Sequence, residues 1–345
     1  MSANGVLIEE LSNNEFYEWD AYVNQHPSGT FFHLSGWKTV IEQAYGHETY
    51  YLVAHSGDRI SGVLPLGHIN SRLFGNALIS NPFCVYGGAI ADNDDIRRQL
   101  EAAAEEESIK RQVDYLELRN VKKSRDDWPV KELYVSFRKK IDPDPEVNMK
   151  AIPRRQRRMV RQGLKENLVS VITNDVDTFF HIYSTSVRNH GTPVFPKKYF
   201  FLLKQVFAEK CEVRLVMKEN VPVSTVMSFY FRDEVLPYYG GGLPAARKYN
   251  AFDFMYWDLM QTACQQGVSI FDYGRSKLGT GPYNFKKNWG FTPEPLPYQY
   301  RLVKSSNVPE INPLNPKYQL FIKAWQKLPL SIANSIGPWL AKNLG

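Results

Sequence analysis

The sequence predicts a mixed α/β protein built as two domains, each a set of helices around a mixed sheet. Three observations carry that expectation. A length of 345 residues exceeds what one hydrophobic core usually serves. Each half runs through one order of elements, helices first, then an antiparallel meander, then a helix and a further strand, with no residue-level repeat between the halves. A chain that is 43% hydrophobic and 14% aromatic can fill two cores, and its 20 tyrosines and 7 tryptophans, whose polar ends need partners, imply polar-edged clefts.

In the first half, Asn13–Asn24 reads as a helix with Phe16, Trp19 and Tyr22 or Val23 on one face. Ser35 suits the N-cap of a second helix that stops at Gly46. The runs ETYYLVAHS and RISGVLPLGHI, joined at Gly57-Asp58, read as a hairpin, with further strands at Ala77–Ser80 and Val85–Ile90. Asp94–Arg111 is expected to be a helix with an acidic outer face, and Val113–Arg119 alternates as a strand does. The prolines and acids of IDPDPEVN, residues 141–148, mark a linker or a helix start.

In the second half, a basic helix over 150–165 is followed by helices at Asp175–Asn189 and Pro196–Lys210. Strands are expected at Glu212–Lys218, across VSTVMSFYFRD, and at Glu234–Gly240. Asn250–Gln266 has Phe252, Met255 or Tyr256, Leu259 and Ala263 at helical spacing and Gly267 as its stop. Val268–Phe271 delivers the chain into a loop over 271–291, and Pro297–Lys304 is the last strand. This order is that of an acetyltransferase-like (GNAT) fold used twice. The expected domains are 1–140, 141–305 with the active site, and a helical tail over 306–345. In the tail, Tyr318, Phe321, Ile322 and Trp325 make an apolar face with Lys317, Lys323 and Lys327 around it. Such a helix either lies on an anionic membrane or packs back on the protein.

Net charge is +6, too modest to imply nucleic acid by itself. Its distribution is more telling, because residues 150–165 carry seven basic side chains and no acid. Within them Arg154, Arg155, Arg157, Arg158 and Arg161 suit tRNA phosphates, an anionic lipid or a polyprenyl diphosphate, or else form a solvated face. Cys84, Cys211 and Cys264 are scattered and odd in number, which suggests neither a disulfide framework nor a zinc site, so no metal and no tightly bound cofactor is expected. The N-terminus lacks a basic-then-apolar signal pattern, and no run of about 18 apolar residues occurs, which points to a cytoplasmic location. No Ser-His-Asp or Cys-His arrangement suggests a covalent intermediate.

The densest chemistry lies in FDYGRSKLGTGPYNFKKNWGF, residues 271–291, where Asp272, Arg275, Lys277, Lys286 and Lys287 sit among glycines and aromatics. Charges in such a setting are costly unless they hold something, most simply an anionic or carbonyl-bearing substrate. This stretch resembles the closing motif of the Fem-type (FemAB-like) peptidyltransferases of the GNAT superfamily. TFFHLSGWKTVIE, MKAIPRRQRRMVRQGLKENLVSV, SVRNHGTPVFPKKYFFLL and YYGGGLPAARKYNAFDFMYWDLMQTACQQG resemble further family segments in chain order. With its tail, NPKYQLFIKAWQKLPLSIANSIGPWLAKNLG, the chain is similar to the subgroup found with exosortase (PEP-CTERM) and exopolysaccharide systems of Gram-negative bacteria.

The resemblance implies tandem GNAT-like domains and transfer of an acyl or aminoacyl group onto an amine of a cell-envelope glycan or peptidoglycan-type precursor. The donor is aminoacyl-tRNA or acyl-CoA. A CoA enzyme usually grips pyrophosphate with a glycine-rich turn at a helix N-terminus, and the corresponding segment here, Leu243–Ala251, contains no glycine. Amide formation from an ester needs a proton acceptor for the amine and stabilisation of the oxyanion. Lys286 is assigned the oxyanion, with Phe285 and Tyr283 excluding water. Asp272 accepts a proton or pairs with Arg275, and Tyr239 and Tyr283 relay a proton or simply pack. Arg188 matches a family arginine suited to an acceptor diphosphate, and Arg275, Tyr239, Phe285, Trp37 and Lys38 complete the substrate-binding set. The alternatives are a CoA-dependent N-acyltransferase acting on an exopolysaccharide amino sugar and a non-catalytic scaffold in peripheral contact with the inner membrane.

Overall fold

The structure, a computed structural model, describes residues 5–71, 75–309 and 316–343, the side chains of 316–318 excepted, so Lys317 and Tyr318 of the expected tail faces lie outside the described residues. The chain divides into two compact units, one around residues 5–134 and 296–309, the other around 135–295 and 316–341.

In the first unit, β1 (Val6–Glu10), α1 (Phe16–Gln25) and α2 (Gly36–Tyr45) precede β2 (Leu52–Ser56), β3 (Arg59–Leu64), β4 (Leu66–Ser71) and β5 (Gly75–Ser80). Then come β6 (Ile90–Ala91), α3 (Asp94–Lys110), β7 (Tyr115–Leu118) and β8 (Val130–Lys131). The run RISGVLPLGHI is two strands rather than one. Pro65, which has no N–H for a ladder, separates them, and β3 joins the sheet β1-β2-β3-β6 while β4 pairs with β5 in another. Leu64, Leu66, Leu78, Leu100 and Leu116 meet in the core.

The expected strand at Val85–Ile90 is not formed beyond its last residue. Asn81 and Phe83 take positive φ of 47° and 70°, and the Arg119 guanidinium donates to the Cys84 carbonyl at 2.7 Å, so this stretch folds into a buried loop.

Around residue 135 the chain enters the second unit, with β9 (Tyr134–Ser136), β10 (Arg138–Lys140), α4 (Pro145–Ala151), α5 (Arg154–Leu164), β11 (Leu168–Thr173), α6 (Val176–Asn189) and α7 (Lys197–Phe207). β12 (Cys211–Lys218), β13 (Val221–Phe231), β14 (Glu234–Gly242), α8 (Ala251–Gln265), β15 (Ile270–Asp272), β16 (Ser276–Lys277), α9 (Gly281–Asn288) and β17 (Glu294–Pro295) follow. The main sheet runs β10-β15-β14-β13-β12-β11. The single basic helix expected over 150–165 begins only at Arg154, because Pro153 forces Ile152 into extended backbone and ends α4. The 271–291 segment, expected as a loop, contains α9, which starts at Gly281 with Pro282 in its first turn, where a fixed φ favours helix.

The last strand, β18 (Tyr298–Leu302), corrects the expected domain limits. It was assigned to the second domain, yet it pairs antiparallel with β7, Gln299 opposite Leu118, and with β8. Its buried Tyr298 and Tyr300 explain the choice: their hydroxyls donate to the Val85 carbonyl and, at 2.9 Å, to Glu117, both in the first unit. Two helices, α10 (Pro316–Gln326) and α11 (Leu330–Ala341), then pack on α6.

Candidate active site

The site is built where β14 and β15 part. They are parallel neighbours over Glu234–Ile270 and Val235–Phe271 only, after which β14 runs on to Gly242 while β15 ends at Asp272. α8 covers one face of β14 there. Gly240 lies close beneath the helix at that point, where a Cβ would stand 2.5 Å from the Tyr256 hydroxyl. Residue 241 points the other way, toward α6, so α6 and α8 lie on opposite faces.

Four rings pack together beside Gly240. Tyr256 of α8, Tyr273 after β15, and Phe285 and Trp289 of α9 have centroids between 5.1 and 6.4 Å apart. Tyr256 and Phe285 are partly buried, while Tyr273 and Trp289 are buried. The Tyr273 hydroxyl has no hydrogen-bond partner among the described residues, a costly state unless something else occupies the space.

Asp253, one turn before Tyr256, lies at the same place. Burial lifts its carboxyl from 3.8 to about 6, against the opposing pull of the Gln156 amide, which donates to Oδ1. The Trp289 indole N–H makes no well-formed hydrogen bond, yet it lies close enough to the carboxylate to lower it as well. Burial raises the Tyr256 and Tyr273 hydroxyls, and the Asp253 charge adds to both shifts. A carboxylate poised near neutrality beside buried hydroxyls is equipped to take and pass a proton.

None of Asp253, Tyr256, Tyr273, Trp289 or Gln156 was singled out from the sequence as a site residue. A usable signal existed: Asp253 and Tyr256 share a helix face at i, i+3, and Gln156 is the one uncharged residue of RRQRR.

Lys286 lies on α9, with its amine buried and donating to the carbonyls of Gly274 and Arg275 at 3.1 and 3.0 Å. Burial pulls its pKa from 10.5 down to about 7, with Asp272 acting in the opposite direction. An ammonium has three protons, so the loop carbonyls leave one to spend on a substrate oxygen. Asp272 is buried and accepts from the Gly274 N–H at 2.6 Å, which shapes the same turn. Tyr283 packs edge-on to Phe137, and Arg275 is half-buried beside these residues in the chain.

Other expected site residues lie elsewhere. Tyr239 is buried on the α6–α7 side, its hydroxyl 2.8 Å from that of Tyr199, and serves that aromatic cluster. Arg188 ends α6, where Nη1 donates to the Gln326 carbonyl of α10 at 3.2 Å. Trp37 is fully buried in the first unit with its indole N–H given to the Phe31 carbonyl, which leaves no face for a ligand. Lys38 is held by Glu42 and Thr49 at 2.8 Å each. Both side chains are engaged with local partners around α2.

α5 lies against the start of α8. A Cβ on Gly163 would come within 3.0 Å of the Asn250 carbonyl, so the helices cross in close contact. The outer side of α5 is an open surface formed by Arg154, Arg155, Arg157, Arg158, Arg161 and Lys165 with Met159 and Gln162 between them. Among the described residues none of these cations pairs with an acid. Three of them occupy the first turn, at the positive end of the helix dipole, where cations are unfavourable.

Residues 148–287 match a family described as Acetyltransferase (GNAT) domain, which takes in α5, the meander, α8 and most of α9. FemX shares the fold with TM-score 0.68 at 14% identity, over 92% of this chain and 100% of that one. A tandem GNAT protein from the clavulanic acid biosynthesis pathway, solved without acetyl-CoA, aligns at TM-score 0.52 and 12% identity over 88% and 100%. The C-terminal domain of an Agrobacterium fabrum protein assigned as a lysylphosphatidylglycerol synthetase aligns at TM-score 0.53 and 11% identity over 85% and 92%. No curated protein matches the chain in sequence.

The fold is therefore a mixed α/β tandem GNAT arrangement, shared with FemX, and its second unit carries the stretch that matches the GNAT acetyltransferase domain. Among the described residues, no helix is long and apolar enough to cross a membrane.

Proposed function

We propose that the protein transfers an aminoacyl group from tRNA to an amine of a cell-envelope glycan or peptide precursor. The row of arginines on α5 carries this reading. α5 spans roughly 16 Å, and it spreads five arginines along that length with no acidic partner among the described residues. A row of this kind suits successive phosphates of a nucleic acid better than one diphosphate. Gln156 joins α5 to Asp253, so the helix that bears the arginines also borders the aromatic cluster. The acceptor class, and a place in exopolysaccharide or exosortase systems, rest on the sequence resemblance.

In this reading Asp253 takes the proton of the attacking amine. The nitrogen bonds to the ester carbonyl, and the remaining N–H of Lys286 stabilises the oxyanion. The ester C–O bond then breaks, and the proton on Asp253 returns to the tRNA hydroxyl, directly or through Tyr256. Asp272 and Arg275 shape the turn that holds Lys286, Tyr283 and Phe285 exclude water, and Arg188 holds α10 in place.

A second reading, CoA-dependent N-acylation, has one observation in its favour: β14 and β15 part within a GNAT domain, a fold that typically takes acyl-CoA. Against it, the buried carboxylate of Asp253 lies in the first turn of α8, where a pyrophosphate would be expected to bind. Binding of charged tRNA and of acetyl-CoA, each at low and high salt, separates the two. Salt-sensitive binding of charged tRNA alone supports aminoacyl transfer, and saturable CoA binding replaces it with the second reading. If Lys286→Ala complements a deletion fully while charge reversal in α5 does not, the protein is a scaffold.

A further inference from the structure

α11 is turned inside out. A helix on the surface of a soluble domain normally buries its large apolar residues and exposes small or polar ones. Here the small residues Ala333 and Gly337 are buried, Gly337 so near α7's leading segment that a Cβ would stand 3.0 Å from the Val194 nitrogen. The large residues Ile332, Ile336 and Trp339, spaced i, i+4, i+7 along one stripe, are 43%, 44% and 52% exposed.

α10 adds exposed Leu320 and Phe321, while its Trp325 is buried and Ile322 packs against Gly191. The tail therefore packs back on α6 and still presents a second apolar face to solvent. Its charge has one sign: residues 311–345 contain four lysines and no Asp or Glu, and Lys323 and Lys327 are exposed.

We propose that the exposed apolar side chains of α10 and α11 are a docking surface for an anionic lipid bilayer, with the two helices lying in the headgroup region. Apolar side chains enter the acyl boundary, Trp339 sits at the interface its amphipathic ring prefers, and the lysines meet lipid phosphates. Two arguments disfavour a second copy of the chain as the occupant. Five partly exposed side chains fall well short of the ~800 Å² per partner that a stable dimer buries. A self-contact would also bring lysine-bearing tails together with no acid to pair them.

The test is co-sedimentation of the full chain with vesicles of phosphatidylcholine alone and of phosphatidylcholine mixed with phosphatidylglycerol. The wild type should bind the mixed vesicles and hardly bind the neutral ones. Ile332→Glu with Ile336→Glu should lower affinity by about tenfold or more, and Lys323→Glu with Lys327→Glu by about fivefold per lysine. Both pairs are at solvent-facing positions, and circular dichroism checks that they fold. Should the glutamate pair perturb the helix, Ile332→Ser with Ile336→Ser must weaken binding in the same direction.

Three outcomes overturn the proposal: no binding to mixed vesicles, binding that survives the tail variants but is lost on charge reversal in α5, or a wild-type dimer that the isoleucine variants convert to monomer. The first and third leave the donor assignment of the α5 arginines untouched, whereas the second reassigns those arginines to lipid.

Discussion

Asp253 makes two predictions of opposite sign. Its carboxyl titrates near 6 in the folded chain against 3.8 for an ordinary aspartate. Between those values the folded protein holds a proton that the unfolded chain has lost, so stability falls as pH rises through the window, and the cost persists above it. Asp253→Asn removes that cost. It should raise stability by on the order of 2 kcal/mol at about pH 8, with little change at about pH 4, as read by denaturant titration. The same variant should lose transfer activity by about a hundredfold or more if Asp253 is the base.

Lys286 must keep its proton to serve an oxyanion, and its pKa is near 7. Activity should therefore rise through about pH 6 and fall above about pH 7, a bell with one limb from each residue. If Lys286→Arg is active, its guanidinium stays charged and the alkaline limb should vanish, while Asp253→Asn should erase the acid limb. A profile whose limbs ignore both substitutions would remove both residues from the chemistry.

At the scale of elements, α5 is electrostatically frustrated in the free protein. Arginines at its positive end each cost about 0.3–1 kcal/mol, so Arg154→Glu should stabilise the unliganded chain by that order while weakening donor binding. Arg155→Glu with Arg158→Glu should also flatten the salt dependence of tRNA binding, lowering the log–log slope by about 1.5–2. A structural role for these arginines would give the reverse: lost stability and unchanged binding.

α8 was legible in the sequence because its apolar positions repeat at helical spacing and a glycine ends it. What that reading missed was Asp253 itself. Periodicity sorts residues into inner and outer faces, but it does not show that an inward-facing acid has rings and an amide waiting for it across the chain. The 281–288 helix was missed for a related reason, since glycine, proline and paired lysines outweighed the aromatic spacing of Phe285 and Trp289. Lys286 stands out in the sequence because Tyr283 and Phe285 lie beside it in the chain, whereas the full burial of Trp37 cannot be read from its own helix.

For the whole molecule, the two units are not consecutive stretches of chain. β18 fills the place between β7 and β8, so a chain ending at Pro295 should lose the cooperative unfolding transition of the first unit, as seen by calorimetry. A chain ending at Ser305 keeps every strand of the described residues and should retain both transitions, while losing the vesicle binding assigned to the tail.

The same strand order matters while the protein is being made. Some 168 residues separate Tyr134 from Leu302, and a ribosome adding 5–20 residues per second takes roughly 10–30 s to cover them. During that interval β7 waits on the nascent chain with an unpaired edge, open to the wrong neighbour. The sheet of the half synthesised first is completed only near the end of translation, after most of the other half has emerged. Aggregation during overproduction should therefore arise mainly in the N-terminal half, and slower translation of the second half should worsen it.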